Sequence, residues 1–161
     1  MKDAKAIMKK AIQRVPHCPI TSFFYANVLA DLAATSKDPK KANQLYEEAE
    51  KYYQNSSRAE LSWKENIINR AACKYDYSLH LNKNGDKKLA KQLWTEADSL
   101  YELSKKIETK NTRLIALSDL CLKDCETVRN NAKVGKCSYK MSKLDKGFFQ
   151  SKCAKGKICI L

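Results

Sequence analysis

Four glycines and three prolines are the only strong chain breakers among 161 residues. So few turn formers exclude folds assembled from many short strands and point to long uninterrupted helices. Long apolar runs are also missing. No stretch approaches the roughly 18–20 residues that a membrane span requires, and the opening Met1-Lys-Asp-Ala-Lys-Ala-Ile-Met holds no apolar signal core. Histidine is limited to His17 and His80. The chain has no phosphate-cradling Gly-rich loop, no Gly-x-Ser-x-Gly and no His-Glu-x2-His. His17 and Cys18 are neighbours in Pro16-His-Cys-Pro19, but adjacent side chains rarely face each other and no third group orients them. The pair reads as a solvated turn. The expectation is a protein that is not an enzyme and carries no cofactor.

Cysteine is present in an odd number, seven, at positions 18, 73, 121, 125, 137, 153 and 159. That set fits no standard disulfide framework, and reduced thiols in a cytoplasmic protein are the default. Cys159 stands third from the end, one place away from the position prenylation needs.

The apolar fraction of 43% is that of a chain able to bury a core. Charge is lopsided, at +13, and only five of the 31 basic residues are Arg. Lys is a hydrated point charge, whereas Arg recognises phosphates and bases in bidentate fashion. The balance therefore favours general attraction to anions over sequence-specific reading.

Comparing the chain with itself shows a repeat. Ala42-Asn-Gln-Leu45-Tyr46-Glu-Glu48-Ala49, continuing to Tyr53, returns as Ala90-Lys-Gln-Leu93-Trp94-Thr-Glu96-Ala97, continuing to Tyr101. A shorter copy is Ala4-Lys-Ala-Ile7-Met8-Lys-Lys-Ala11, closed by Pro16. Residues at i, i+3, i+4 and i+7 share one helix face. Small Ala at both ends of that face lets a neighbouring helix approach, and the large residue between them fills the remaining space. The preceding turns also match. In Lys37-Asp38-Pro39-Lys-Lys-Ala42 and Gly85-Asp86-Lys-Lys-Leu-Ala90, Asp precedes Ala by four residues, placed to cap the helix start. Pro39 suits a first helical position, and Gly85 suits the left-handed end of the helix before.

These residues resemble the tetratricopeptide repeat family over about residues 4–103. In that family the first helix of a pair carries a small residue near its middle, here Leu29-Ala30 and Ala33. A Gly-Asp-type turn follows, then Ala-x3-aromatic-x2-Ala, here Ala42, Tyr46 and Ala49. The resemblance implies an all-α, right-handed helical-repeat solenoid of antiparallel helix pairs, with about six to seven helices. The 48-residue shift exceeds the family's usual period of about 34, so the intervening helix must be longer. Residues 1–131 are expected to form the repeat domain, and 132–161 a basic capping helix and tail.

Helices are expected at about 2–15, 19–35, 39–54, 58–82, 86–107 and 111–131. A loop at Asn55-Ser56-Ser57 separates the third from the fourth, and Ser57-Arg-Ala-Glu60 has capping-box form. Core positions include Phe23, Phe24, Val28, Leu29, Leu32 and Ala33, then Leu61, Ile67, Ile68, Ala71, Ala72 and Tyr75, then Leu114, Leu117, Leu120, Cys121 and Val128. The first helix matches the second helix of a repeat, so the chain is expected to be the C-terminal part of a longer array.

The function implied by the resemblance is a protein-interaction scaffold holding a peptide or helix on its concave face. Tyr25, Asn27, Asp31, Lys74, Tyr77 and Ser78 are the residues assigned to that face. Glu47, Glu48 and Glu50 are assigned to a solvated helix surface. From Arg129 onward nine basic residues face one acid, Asp145. There Val134, Cys137, Met141, Leu144 and Phe148 form a helical apolar stripe beside Lys133, Lys136, Lys140 and Lys143. A cap over the end of the solenoid is the first reading. The alternative is anion binding, to RNA, DNA or acidic lipid, through those four lysines. A third is a tail stapled by zinc or a disulfide, using Cys137, Cys153 and Cys159 with Cys121 or Cys125, although no C-x2-C pair is present.

Overall fold

The computed structural model describes residues 2–57, 64–107 and 112–135. They form six helices: α1 Lys2–Arg14, α2 Pro19–Ala34, α3 Pro39–Ser57, α4 Lys64–Lys83, α5 Lys87–Lys106 and α6 Thr112–Lys133. All described regular structure is helical. The expected boundaries hold to within a few residues where the ends are described, and the expected starts at 58 and 111 lie outside the described residues.

Local chemistry accounts for the starts and stops. Asp38 Oδ1 accepts from the amides of Lys40 at 2.9 Å and Lys41 at 3.3 Å, and Asp86 Oδ1 accepts from Leu89 at 3.1 Å. These amides belong to the first turn, where no backbone carbonyl can reach. Gly85 has φ +94°, the left-handed value its place after α4 requires. The expected loop at 55–57 is corrected. Ser57 is helical, and its Oγ donates to the Tyr53 carbonyl at 3.0 Å while accepting from Asn66 Nδ2 at 2.6 Å. It closes α3 by bonding backward, and the partner expected for its capping box, Glu60, lies outside the described residues. Glu60 and Leu61 lie outside the described residues, as do the side chains of Leu114 and Leu117.

Consecutive helices run antiparallel, as their pairings show. Along α2 and α3, Phe23 meets Tyr53 and Tyr25 meets Glu48. Along α3 and α4, Tyr46 meets Tyr77, Glu50 meets Arg70 and Tyr53 meets Asn66. Along α4 and α5, Lys74 meets Glu96 and Ser78 meets Ala90. Along α4 and α6, Tyr75 meets Arg129, and Leu79 and Asn82 lie around the same hollow as Ala132, so these two helices run the same way. It follows that α2, α4 and α6 point one way and α3 and α5 the other.

Two apolar clusters fill the spaces. The first joins α1, α2 and α3 with one side of α4 and the start of α5, around Leu29, Tyr46, Tyr53 and Cys73. The second lies between the other side of α4, the rest of α5 and α6, around Ile68, Tyr75, Ala97 and Cys125. The repeated alanines behave as the spacing implies. Ala42, Ala49 and Ala97 have no exposed surface, and the helices meet across them. Helix α4 belongs to both clusters, and residues 71–79 are buried without interruption.

Candidate interaction groove

On α3, Tyr46, Glu47, Glu50, Lys51 and Gln54 line one side of a groove of about 390 Å³. On α5, Leu89 and Leu93 line the other, one helical turn apart. The floor between them is α4, through Cys73, Lys74 and Tyr77. The spacing is helical on all three elements, so each contributes one stripe.

The floor is aromatic toward α3. The Tyr46 and Tyr77 rings stack with centroids 4.7 Å apart and planes 17° from parallel. The Tyr77 hydroxyl donates to Glu47 Oε1 at 3.4 Å. Burial, with the Glu47 carboxylate beside it, pushes this phenol up to about 12.

Across the groove runs a charge network. Lys74, whose side chain is 8% exposed, holds its Nζ 3.3 Å from Glu50 Oε1 on α3 and 2.7 Å from Glu96 Oε2 on α5. The Arg70 Nε donates to both Glu50 oxygens at 3.1 and 3.0 Å, and its Nη2 also bonds Oε1. Gln54 and Gln92 donate to Glu50 and Glu96, each at 3.0 Å. Burial draws the Glu50 carboxyl upward, but the Arg70 hydrogen bonds and the charges of Lys74 and Arg70 outweigh it and hold it below its ordinary value. Glu96 is also held low, chiefly by its bond from Lys74.

The six residues assigned to a binding face divide. Lys74 and Tyr77 line the groove. Tyr25, Asn27 and Ser78 are interior and are corrected as surface residues. Tyr25 is 1% exposed, packs edge-on against Tyr52 and donates to Glu48 at 3.2 Å. Asn27 accepts from Tyr53 at 2.6 Å inside the α2–α3 seam. Ser78 donates to the Ala90 carbonyl at 2.7 Å, joining α4 to α5. Asp31 is half-buried near the end of α2. The assignment erred because α2 and α4 are covered on several sides, so helical spacing alone does not identify an open face.

Glu50 is corrected as well, from a solvated carboxylate to a member of the network. Glu48 is half-buried and accepts from Tyr25 and from Lys5, the latter at 3.4 Å. Sequence reasoning missed Arg70, Leu89, Leu93 and Glu96. Polar residues at 74, 76, 78 and 80 interrupt the sequence from Ala71 to Leu81, so no local signal marked Lys74 as buried.

Lys133 is exposed at the end of α6, while Lys136, Lys140 and Lys143 lie outside the described residues. Cys121 and Cys125 are buried on α6 and form no disulfide, and Cys137, Cys153 and Cys159 lie outside the described residues. At Cys18 burial opposes ionisation, but hydrogen bonds from Thr21 and Ile20 outweigh it and hold the thiol below its usual range. No described helix is long and apolar enough to cross a membrane.

No family model, no curated protein and no solved structure matches this chain.

Proposed function

We propose that the chain is a tetratricopeptide-like helical-repeat scaffold that binds a peptide or helix of another protein. The observation that carries this reading is the groove between α3 and α5. It is floored by Tyr77, stacked on Tyr46, and walled by Leu89 and Leu93, with the charges of Glu50 and Lys74 held in place across it. An amphipathic helix lays an apolar stripe into such a groove and sets its register by polar contacts at the rim. The Glu50–Lys74–Glu96 bridge fixes the walls relative to each other before anything binds, which lowers the ordering cost of association. The repeated face and its matching caps support the solenoid reading, because in such proteins each helix pair packs on its neighbours through a recurring face.

The test is selection from a displayed library of helical peptides, compared with a Leu89→Asp variant. Leu89 is only partly buried, and Asp is tolerated in a first helical turn, so the fold should survive. Selected peptides should share apolar residues at i, i+3 or i+4, and i+7, and should bind the variant on the order of tenfold more weakly, a loss of about 1.4 kcal/mol. Failure to enrich any peptide, or enrichment of peptides indifferent to Leu89→Asp, would overturn the assignment.

A further inference from the structure

The antiparallel order of the helices brings the end of α4, the starts of α3 and α5, and the end of α6 to one edge of the molecule. Asn82 and Lys87 lie around the same hollow as Ala132, which places the end of α6 there too. That edge carries Lys40 and Lys41 on α3, Lys83 on α4, Lys87 and Lys88 on α5, and Lys133 on α6, all exposed. Between residues 35 and 41 and between 82 and 91, the acids are Asp38 and Asp86, and both spend a carboxylate oxygen on helix capping. Among the described residues, ion pairs engage Lys5, Arg70, Lys74, Lys105 and Arg129, and none of the six edge lysines.

Four of these lysines stand where the fold is worse for them. The first turn of a helix concentrates partial positive charge and favours acids, yet α3 and α5 have none there and carry a Lys pair instead. The two adjacent lysines of each pair also repel each other. The same conflict occurs at the same point of both repeats, where folding gives no reason to repeat it. Local rules broken without a structural gain mark a functional surface.

We infer that this edge binds the phosphate backbone of a nucleic-acid duplex without reading its sequence. Helices pack about 8–10 Å apart and α4 touches both α3 and α6, so the edge from α3 to α6 presents cations over a span on the order of 20 Å, suited to a line of phosphates. Lysines supply point charges and no bidentate base contacts. One half-exposed aromatic, Trp94, lines the hollow beside Lys87, and a single ring is too few to stack a run of unpaired bases. This surface is separate from the groove, and either can fail without the other.

The experiment uses the full chain and mixed-sequence DNA and RNA duplexes of equal length, followed by fluorescence anisotropy over a range of salt. In one variant Lys40, Lys41, Lys87 and Lys88 are all changed to Gln. A second makes the same charge change away from the edge, at Lys10, Arg14, Lys105 and Lys106. The edge variant should bind on the order of tenfold or more weakly, and its log–log salt dependence should flatten by about 0.9 for each phosphate it no longer neutralises. The second variant should weaken distinctly less. The edge variant should also melt no lower than the parent, since the conflict with the helix ends is relieved. Equal weakening in both variants would reduce the effect to net charge and overturn the inference. A lower melting temperature for the edge variant would assign the lysines to the fold and overturn it too. Binding to phosphatidylserine vesicles without binding to either duplex would do the same.

Discussion

The α2–α3 and α4–α5 hairpins carry the same side chains at the same helical positions, yet they bury them differently. Tyr46 is 2% exposed and stacks on Tyr77, whereas its counterpart Trp94 meets Tyr75 edge-on and remains half-exposed. Tyr53 is fully buried and donates to Asn27, whereas Tyr101 lies beneath Lys105 and Arg129. The first helices differ too. Helix α2 has Asp31 as its sole charged residue and is apolar on most sides. Helix α4 buries Glu65, Asn66, Lys74, Asp76 and Ser78 in its length. Position in a repeat thus determines which residue type is placed where, and the number of neighbouring helices determines how much that residue contributes.

Truncation should expose this asymmetry most strongly. Removal of a fully buried aromatic costs about 3–5 kcal/mol, because the cavity cannot collapse. Tyr46→Ala should lose that much in a denaturant titration. Trp94→Ala, starting from a site already open to water, should lose clearly less despite removing the larger ring. Equal losses would mean that the repeat position, not its surroundings, determines the energy.

Removing one oxygen is a finer probe. Tyr53→Phe deprives Asn27 Oδ1 of its 2.6 Å donor in a buried seam, leaving only Asn69 at 3.5 Å. The expected cost is about 1–3 kcal/mol. Tyr101→Phe, at the equivalent place of the other hairpin, should stay within about 0.5 kcal/mol. Chemical denaturation of both variants decides the point, and the comparison fails if their order reverses.

The groove network makes a pH prediction. Folding lowers the affinity of Glu50 and Glu96 for protons, so the stabilisation they provide is complete above their ordinary value of 4.5. It is lost as pH falls through the lower folded values. The melting temperature should therefore be flat toward neutral pH and fall on the acid side of 4.5. Glu50→Gln should melt lower at neutral pH and decline less steeply in acid. A parallel decline for parent and variant would remove Glu50 from the account.

How much of this was legible beforehand follows from the same contrast. Helix number, the caps at Asp38 and Asp86, the turn at Gly85 and the packing face of α3 and α5 could all be read, because each depends on local chemistry or on a stripe of period 3.6. The open surface could not. A helix covered on most sides has no stripe to read, and in α4 the buried Lys74, Asp76 and Ser78 look like a solvated face. Their partners, Glu50, Glu96 and the Ala90 carbonyl, come from other helices and become visible only when those helices are placed. The end of α3 was missed for another reason. Asn55-Ser56-Ser57 has loop composition, but Ser56 is 1% exposed and Ser57 bonds back to Tyr53, so packing overrides propensity.

The smallest difference between the hairpins lies in their turns. Helix α2 ends at Thr35 with φ −96° and ψ −4°, and Thr35 Oγ1 returns to the Asp31 carbonyl at 2.9 Å. Any residue can adopt that backbone, and no glycine is used. Helix α4 ends through Gly85 at φ +94°, with the Asp86 amide reaching back to the Leu81 carbonyl at 3.0 Å. A Cβ placed on Gly85 meets nothing within 4 Å, so any penalty for adding one comes from the backbone alone. Gly85→Ala should therefore cost about 1–2 kcal/mol, and Gly85→Asn should recover part of it, since Asn tolerates positive φ better than Ala. At the exposed Lys37 of the other turn, substitution by Ala should change stability by less than about 0.5 kcal/mol. Were Gly85→Ala as mild as Lys37→Ala in thermal melts, the two turns would share one conformational tolerance, and the left-handed stop would not be what ends α4.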